Sequence, residues 1–270
     1  MTLMAKNKVS EAEARAVLPI TAESRSYKPV RNDELLDMVA EVANAYGLVL
    51  NDGQYALDRD DGRMFAQYAI NGTDGEMIGG EAVMQLGIRN SSDKSLPAEI
   101  CFGSRIIVCD NLIFVATSKD GICGKASHRH TRNVQSVLMD RLVESFGQFQ
   151  TWKTWQEKFY TGLKTVPVNN ESAALSIVEA AKQGAIKKTN IVDIYDEWVF
   201  QERGIANAIE QQQHDEKIHI WHPEFQKRNA YNLFNAFTEI AKIYQKKSPV
   251  NAPGKDMALV KYFDKVYTAA

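Results

Sequence analysis

A chain of 270 residues, 44% hydrophobic and 24% charged, has the composition of a soluble globular protein and is long enough to bury a sizeable core. Its formal net charge of -2 excludes a uniformly basic, histone-like binder, and three cysteines are too few for a disulfide framework. Cys101, Cys109 and Cys123 therefore read as reduced thiols, with a cytoplasmic setting expected.

Met1 to Ser10 lacks the apolar stretch of a signal peptide, and no apolar run approaches the length of a membrane span. No membrane contact is expected. Residues 1–26 read as a loosely ordered lead-in. From Asn32, taken as the N-cap, Leu35, Leu36, Met38, Val39, Val42, Ala43 and Tyr46 recur at helical spacing, and Gly47 supplies the stop.

The period then changes to that of strands. Gln54 to Asp58 and Arg63 to Ile70 flank Arg59-Asp-Asp-Gly62, a hairpin turn. Glu81 to Asn90, Glu99 to Cys109 and Leu112 to Thr117 read as further strands, which predicts an antiparallel meander of about five. From Thr131, the candidate cap, Val134, Val137, Leu138, Leu142, Phe146 and Phe149 mark one helical face. Trp152, Trp155, Phe159 and Leu163 continue it past a bend near Gly147. Asn170 caps a helix ended by Gly184, and Thr189 caps the next. A long helix is expected from about Pro223 to Lys247, with Pro249 to Pro253 before a terminal one. Strands first and helices after predict an α+β fold, divided into the lead-in, an α+β domain over 27–150 and a helical region over 151–270 packed on it.

The chemical motifs are sparse. Around Gly121-Ile-Cys-Gly124-Lys125-Ala126 the phosphate-loop template fails, because Lys119 stands at the upstream glycine and Ala126 at the magnesium-binding hydroxyl. Asp58-Arg-Asp60-Asp61-Gly62 puts its glycine at position five of a calcium loop that needs it at six. Cys123, His128 and His130, or His219 and His222, lack the paired spacing of zinc ligands. Cys109 lies in an apolar strand, no nucleophile elbow exists, and Cys101 stands where the Glu-x-Lys nuclease pattern after Glu99 needs lysine. No catalytic residue, metal or cofactor is assigned.

The best remaining signal is a basic loop. Lys119, Lys125, Arg129 and Arg132 oppose Asp120, a local +3, with His128 and His130 beside them. Cations at a helix start are the wrong sign for the macrodipole, so an anion is expected between them. Arg105 joins the set if its strand end faces the same side. A second basic stretch, Lys242 to Lys265, carries six lysines against two aspartates, with Tyr244, Tyr262 and Phe263 interleaved. Cations beside aromatics suit single-stranded nucleic acid, with Trp152 and Trp155 as further stacking candidates.

Four motifs occur in order: Tyr27-x-Pro29-Val30, Arg105-x-x-x-Cys109-x-Asn111, Arg129-His130-Thr131, and Tyr231-Asn-Leu-Phe-Asn235-Ala236-x-Thr238-Glu239. Through them the chain resembles the phage- and plasmid-borne family called domain of unknown function 932, from roughly Tyr27 to Lys247. It departs from that family where a histidine often follows the Thr-Glu step and this chain reads Ile240-Ala-Lys-Ile-Tyr-Gln-Lys. The resemblance implies a mobile-element setting and brings no catalytic residues. The order of helix, meander and helix is also similar to the core of single-strand annealing recombinases, a likeness of fold alone.

The leading expectation is a phage or plasmid protein of DNA metabolism that binds nucleic acid, single strands by preference, and assists recombination or annealing. Arg105, Lys119, Lys125, His128, Arg129, His130 and Arg132 are its expected contacts, and a homo-oligomer is compatible with that role. The alternative is an interaction protein that binds and inhibits a host defence or replication factor. An enzyme comes third, with nuclease the nearest chemistry.

Overall fold

The computed structural model describes residues 7–58, 62–71, 82–106, 111–114, 124–200, 228–245 and 252–268. Within the stretch read as a lead-in, Lys8–Val9 forms a short strand, β1, and Glu11–Ala16 a helix, α1. Ser10 starts α1 with a reciprocal capping box: its hydroxyl accepts from the Glu13 amide, and the Glu13 carboxylate accepts from the Ser10 amide. The first long helix, α2, runs Asn32–Ala45 and stops at Gly47, whose φ of 70° only glycine adopts without strain.

Asn32 does not cap α2; Arg31 takes that position. The Asn32 side chain is buried and turned inward, its Nδ2 donating to the Ala14 carbonyl at 3.0 Å and its Oδ1 accepting from Asn90 Nδ2 at 2.9 Å. Two tertiary hydrogen bonds outcompete the local one that spacing suggested.

The sheet follows. β2 (Val49–Asp58), β3 (Arg63–Asn71), β4 (Ala82–Ser91) and β5 (Ala98–Ile106) form an antiparallel meander, extended by β1 against β2. β2 starts earlier than expected because it contains an irregularity between Asn51 and Gln54, where Asp52 has a φ of 51°. Residues 59–61 of the expected hairpin turn lie outside the described residues. The free edge of β5 is shared end to end by β6 (Asn111–Phe114), opposite residues 103–106, and β7 (Lys125–His128), opposite residues 98–101. Between them Gly124 faces Phe102, whose amide donates to the Gly124 carbonyl at 2.7 Å. Seven strands thus form one sheet among the described residues, two more than the meander expected from alternation.

Helices cover one face. α3 (Val134–Gly147) and α4 (Phe149–Thr165) meet at Gln148 as the bend near Gly147 predicts. Phe102 projects from the sheet into this pair, its ring centroid 5.1 Å from Phe146, 5.2 Å from Phe149 and 5.7 Å from Trp152. Met84, Leu86, Ile88 and Ile100 share its face, and Leu35, Val39, Leu138 and Leu142 pack over them. The opposite face of the sheet is buried as well, and it is polar: Gln67, Gln85 and Glu99 lie there with Phe65 and Cys101. A simple amphipathic meander does not predict this.

Beyond α4 come α5 (Asn170–Lys182), a 3-10 turn (Lys188–Asn190), α6 (Ile191–Phe200), α7 (Ala230–Gln245) and α8 (Ala252–Phe263). Asn169, one residue ahead of the expected cap, accepts from the Ser172 amide and starts α5, and Gly184 at a φ of 75° follows its end. α7 begins at Ala230, after the bridge that joins Asn229 to Pro167; residues 223–227 of the expected longer helix lie outside the described residues. Phe263 fastens this half, 5.0 Å from Phe234 and 5.1 Å from Phe237. Strands followed by helices make the α+β class that the element order implies.

Candidate nucleic-acid interface

The loop that leaves β7 carries most of the residues expected to meet an anion. It is short and tied internally. Thr131 donates to Asn133 Oδ1 at 2.9 Å, so its single proton is used. The His128 Nε2, 3.0 Å from the same hydroxyl, must then be the donor. Thr131 is therefore not the cap of α3. Asn133 holds that position without a side-chain cap, its oxygen turned to the Thr131 hydroxyl. The Val134 amide donates to the Thr131 carbonyl, turning the chain into the helix.

This leaves the start of α3 chemically open. The amides of Gln135 and Ser136 have no backbone acceptor among the described residues, and the first turn carries no acidic residue. Arg129 and Arg132 are exposed, and neither has an ion pair among the described residues. Two exposed arginines thus precede a partial positive helix end in the chain, with no carboxylate on either among the described residues.

Other expected contacts have different surroundings. Lys125 Nζ lies 2.6 Å from Glu99 Oε2, and Arg89 Nη2 lies 2.8 Å from Glu99 Oε1. A buried carboxylate on β5 thus matches the Lys125 charge that the loop reading aims at a phosphate. His130 is buried with its Nδ1 on the Val30 amide at 3.1 Å. Burial pushes its pKa below the ordinary value, with the neighbouring His128 adding to the effect and the Leu96 carbonyl opposing it. The His128 pKa is also lowered, by burial and then by the charge of Arg141. Arg105 pairs through its backbone with Val83 and Leu112, and its side chain lies outside the described residues, as does all of Lys119. Cys109, Cys123, His219 and His222 lie outside them too. Among the described residues no three His, Cys, Asp or Glu side chains gather as a metal site.

Of the aromatics offered for base stacking, Trp152, Tyr262 and Phe263 are buried and Trp155 is half-buried against the core, while the Tyr244 side chain lies outside the described residues. Trp152 and Phe263 have no exposed surface, Trp155 stacks on Phe159 at 5.6 Å, and Tyr262 donates its hydroxyl to the Ser176 carbonyl at 2.8 Å. Helical spacing cannot distinguish a stacking platform from a core stripe, and here packing takes them.

The structure adds cations that the loop reading missed. Lys28 donates to Gln135 Oε1 at 3.1 Å, which brings it to the first turn of α3. Lys94, on the turn between β4 and β5, sits 4.6 Å from the centre of the Tyr27 ring, and that ring lies 5.8 Å from His130. Carboxylates reach the corner as well: Glu34 Oε2 accepts from the Arg31 amide and from Gln135 Nε2, each at 3.2 Å, and Asp93 acts on the Tyr27 ring. Lys28 belongs to the Tyr27-x-Pro29-Val30 motif, so its signal was present; only the fold shows that this motif faces Arg129-His130-Thr131.

The chain belongs to the family described as domain of unknown function DUF932, which matches residues 19–259. No curated protein and no solved structure matches it. Among the described residues no helix is long and apolar enough to cross a membrane.

Proposed function

We propose that this protein binds single-stranded nucleic acid in the DNA metabolism of a phage or plasmid, in the cytoplasm of the bacterial cell that carries the element. The observation that carries the reading is the pair of exposed arginines, Arg129 and Arg132, at an uncapped helix start without a carboxylate partner among the described residues. Lys28, on Gln135 of the same helix start, and Lys94, over the Tyr27 ring, add cations to this corner. Phosphates would lie against Arg129, Arg132 and the amides of Gln135 and Ser136, with Lys28 and Lys94 alongside. The mobile-element setting rests on the family resemblance set out above.

A salt-titrated anisotropy assay on labelled single- and double-stranded oligonucleotides tests this. Each phosphate contact contributes about -0.7 to the log-log salt slope for single strands, so Arg129→Glu with Arg132→Glu should flatten the slope by about 1.4 and weaken binding. Wild-type affinity and slope in that double variant would sink the assignment. A host protein captured equally well after nuclease treatment would point instead to the inhibitor of a host factor.

A further inference from the structure

The corner is built from two stretches far apart in sequence, and one buried side chain joins them. His130 is 6% exposed. A backbone amide can only donate, so the Val30 amide at 3.1 Å requires His130 Nδ1 to carry no proton. The Val30 carbonyl accepts in turn from Asn90 Nδ2 at 2.9 Å; Asn90 also reaches Asn32, and Asn32 reaches the Ala14 carbonyl. A buried chain of hydrogen bonds thus runs from the loop after β7, through the Tyr27–Val30 stretch, β4 and α2, into α1.

Resting on the nucleic-acid reading, we propose that His130 is the positioning residue of this interface: neutral, it pins the Arg129–Arg132 loop to the Tyr27–Val30 stretch, so that one polyanion meets Lys28 and Lys94 together with both arginines. Protonation would set an Nδ1–H against the Val30 N–H, two donors with no acceptor between them. Charged groups of both signs surround the imidazole, Asp93 acting on the Tyr27 ring that faces it and Glu34 holding the amide next to Val30. His128 and Arg129 on its own loop add positive charge. Lys94 stands over the Tyr27 ring, and Asp93 next to it pairs with Arg63 at 3.5 Å. Lys28 and Glu34 meet Gln135 on α3. The Leu96 carbonyl, which favours the proton, is outweighed by burial.

The consequence has an unusual sign. A protein that gains protons ordinarily binds polyanions more tightly; here the proton on His130 loosens the surface. The test is anisotropy on a labelled single-stranded oligothymidine between about pH 8 and about pH 5.5, where histidine titrates. Wild type, His130→Asn, His130→Leu and the Arg129→Glu/Arg132→Glu variant are compared. Asparagine presents an acceptor near the position of Nδ1 and does not titrate. Wild type should weaken about tenfold in acid, His130→Asn should match wild type at high pH and hold its affinity in acid, and His130→Leu should be about tenfold weaker throughout.

His130→Leu binding like wild type, while the double arginine variant loses affinity, overturns the positioning role and leaves the interface standing. A double arginine variant that binds like wild type removes the interface itself. Should circular dichroism show His130→Leu unfolded, wild type decides: affinity that rises as the pH falls overturns the proposal.

Discussion

Replacing Glu99 by glutamine tests how the loop after β7 is held. The carboxylate is 1% exposed, with Lys125 at 2.6 Å and Arg89 at 2.8 Å. At an effective dielectric near 20 each attraction is worth about 6 kcal/mol before desolvation. Removing the three ions from water takes back several kcal/mol apiece, so the intact network adds little net stability. Its truncation is a different matter, since roughly 3–5 kcal/mol is lost when one partner of a buried pair disappears. The Lys125 side chain is 32% exposed and can swing its ammonium into water, which sets the expected loss near the lower end, about 3 kcal/mol. For a chain of this length that lowers Tm by roughly 6–12 °C. Thermal denaturation followed by circular dichroism reads it directly. Lys125→Met should cost less, about 1 kcal/mol, because Arg89 still meets the carboxylate, and its oligonucleotide affinity should stay near wild type. A Glu99→Gln protein melting within about 1 °C of wild type would show that the network is relaxed in solution and that the reasoning fails.

Phe102→Ala empties a site enclosed by three rings and should cost about 4 kcal/mol in urea unfolding; a loss below about 1 kcal/mol would mean the site is looser than these contacts require. Gly53→Ala would place a Cβ 2.7 Å from Tyr55 Oη and 2.9 Å from Tyr68 Cε1, disturbing two hydroxyls that share a 2.7 Å hydrogen bond. A drop of about 1–3 kcal/mol is expected, and an unchanged melting curve would contradict the close approach. The pH profile has a definite direction as well. Folding holds His128 and His130 below the ordinary 6.5, so just under that pH the unfolded chain binds more protons. Their contribution is whole above 6.5 and is lost as the pH falls toward the folded-state values. A Tm that rises on acidification through this window would reverse the argument, and His130→Asn should flatten the profile.

Much of the architecture is written locally. The change from helical to alternating period places β2 through β5, and Gly47 and Gly184 both take the positive φ that a helix stop requires. What escapes local reading is decided by partners distant in sequence. Asn32 looks like a cap until Asn90 and Ala14 claim its amide. Lys125 looks like a phosphate ligand because nothing near it in sequence reveals that Glu99, on another strand, faces it from within the protein. β1 has two residues and β7 only Lys-Ala-Ser-His, too few for a period to show. The basic corner was half legible: Arg129 and Arg132 stand in one loop, whereas Lys28 and Lys94 arrive through tertiary packing.

The divided edge of β5 has a consequence for how the chain could be cut. Phe114 stands opposite Gly103 and Gly124 opposite Phe102, places that successive residues of one strand would fill. Nine residues, 115–123, join them in the sequence. Excising those nine and splicing Phe114 to Gly124 would turn two short strands into one uninterrupted edge, with the route into α3 unchanged. The shortened protein would lack Lys119 and Cys123 but keep Arg129 and Arg132, so its performance on oligonucleotides would assign any contribution of the excised residues without a single point substitution.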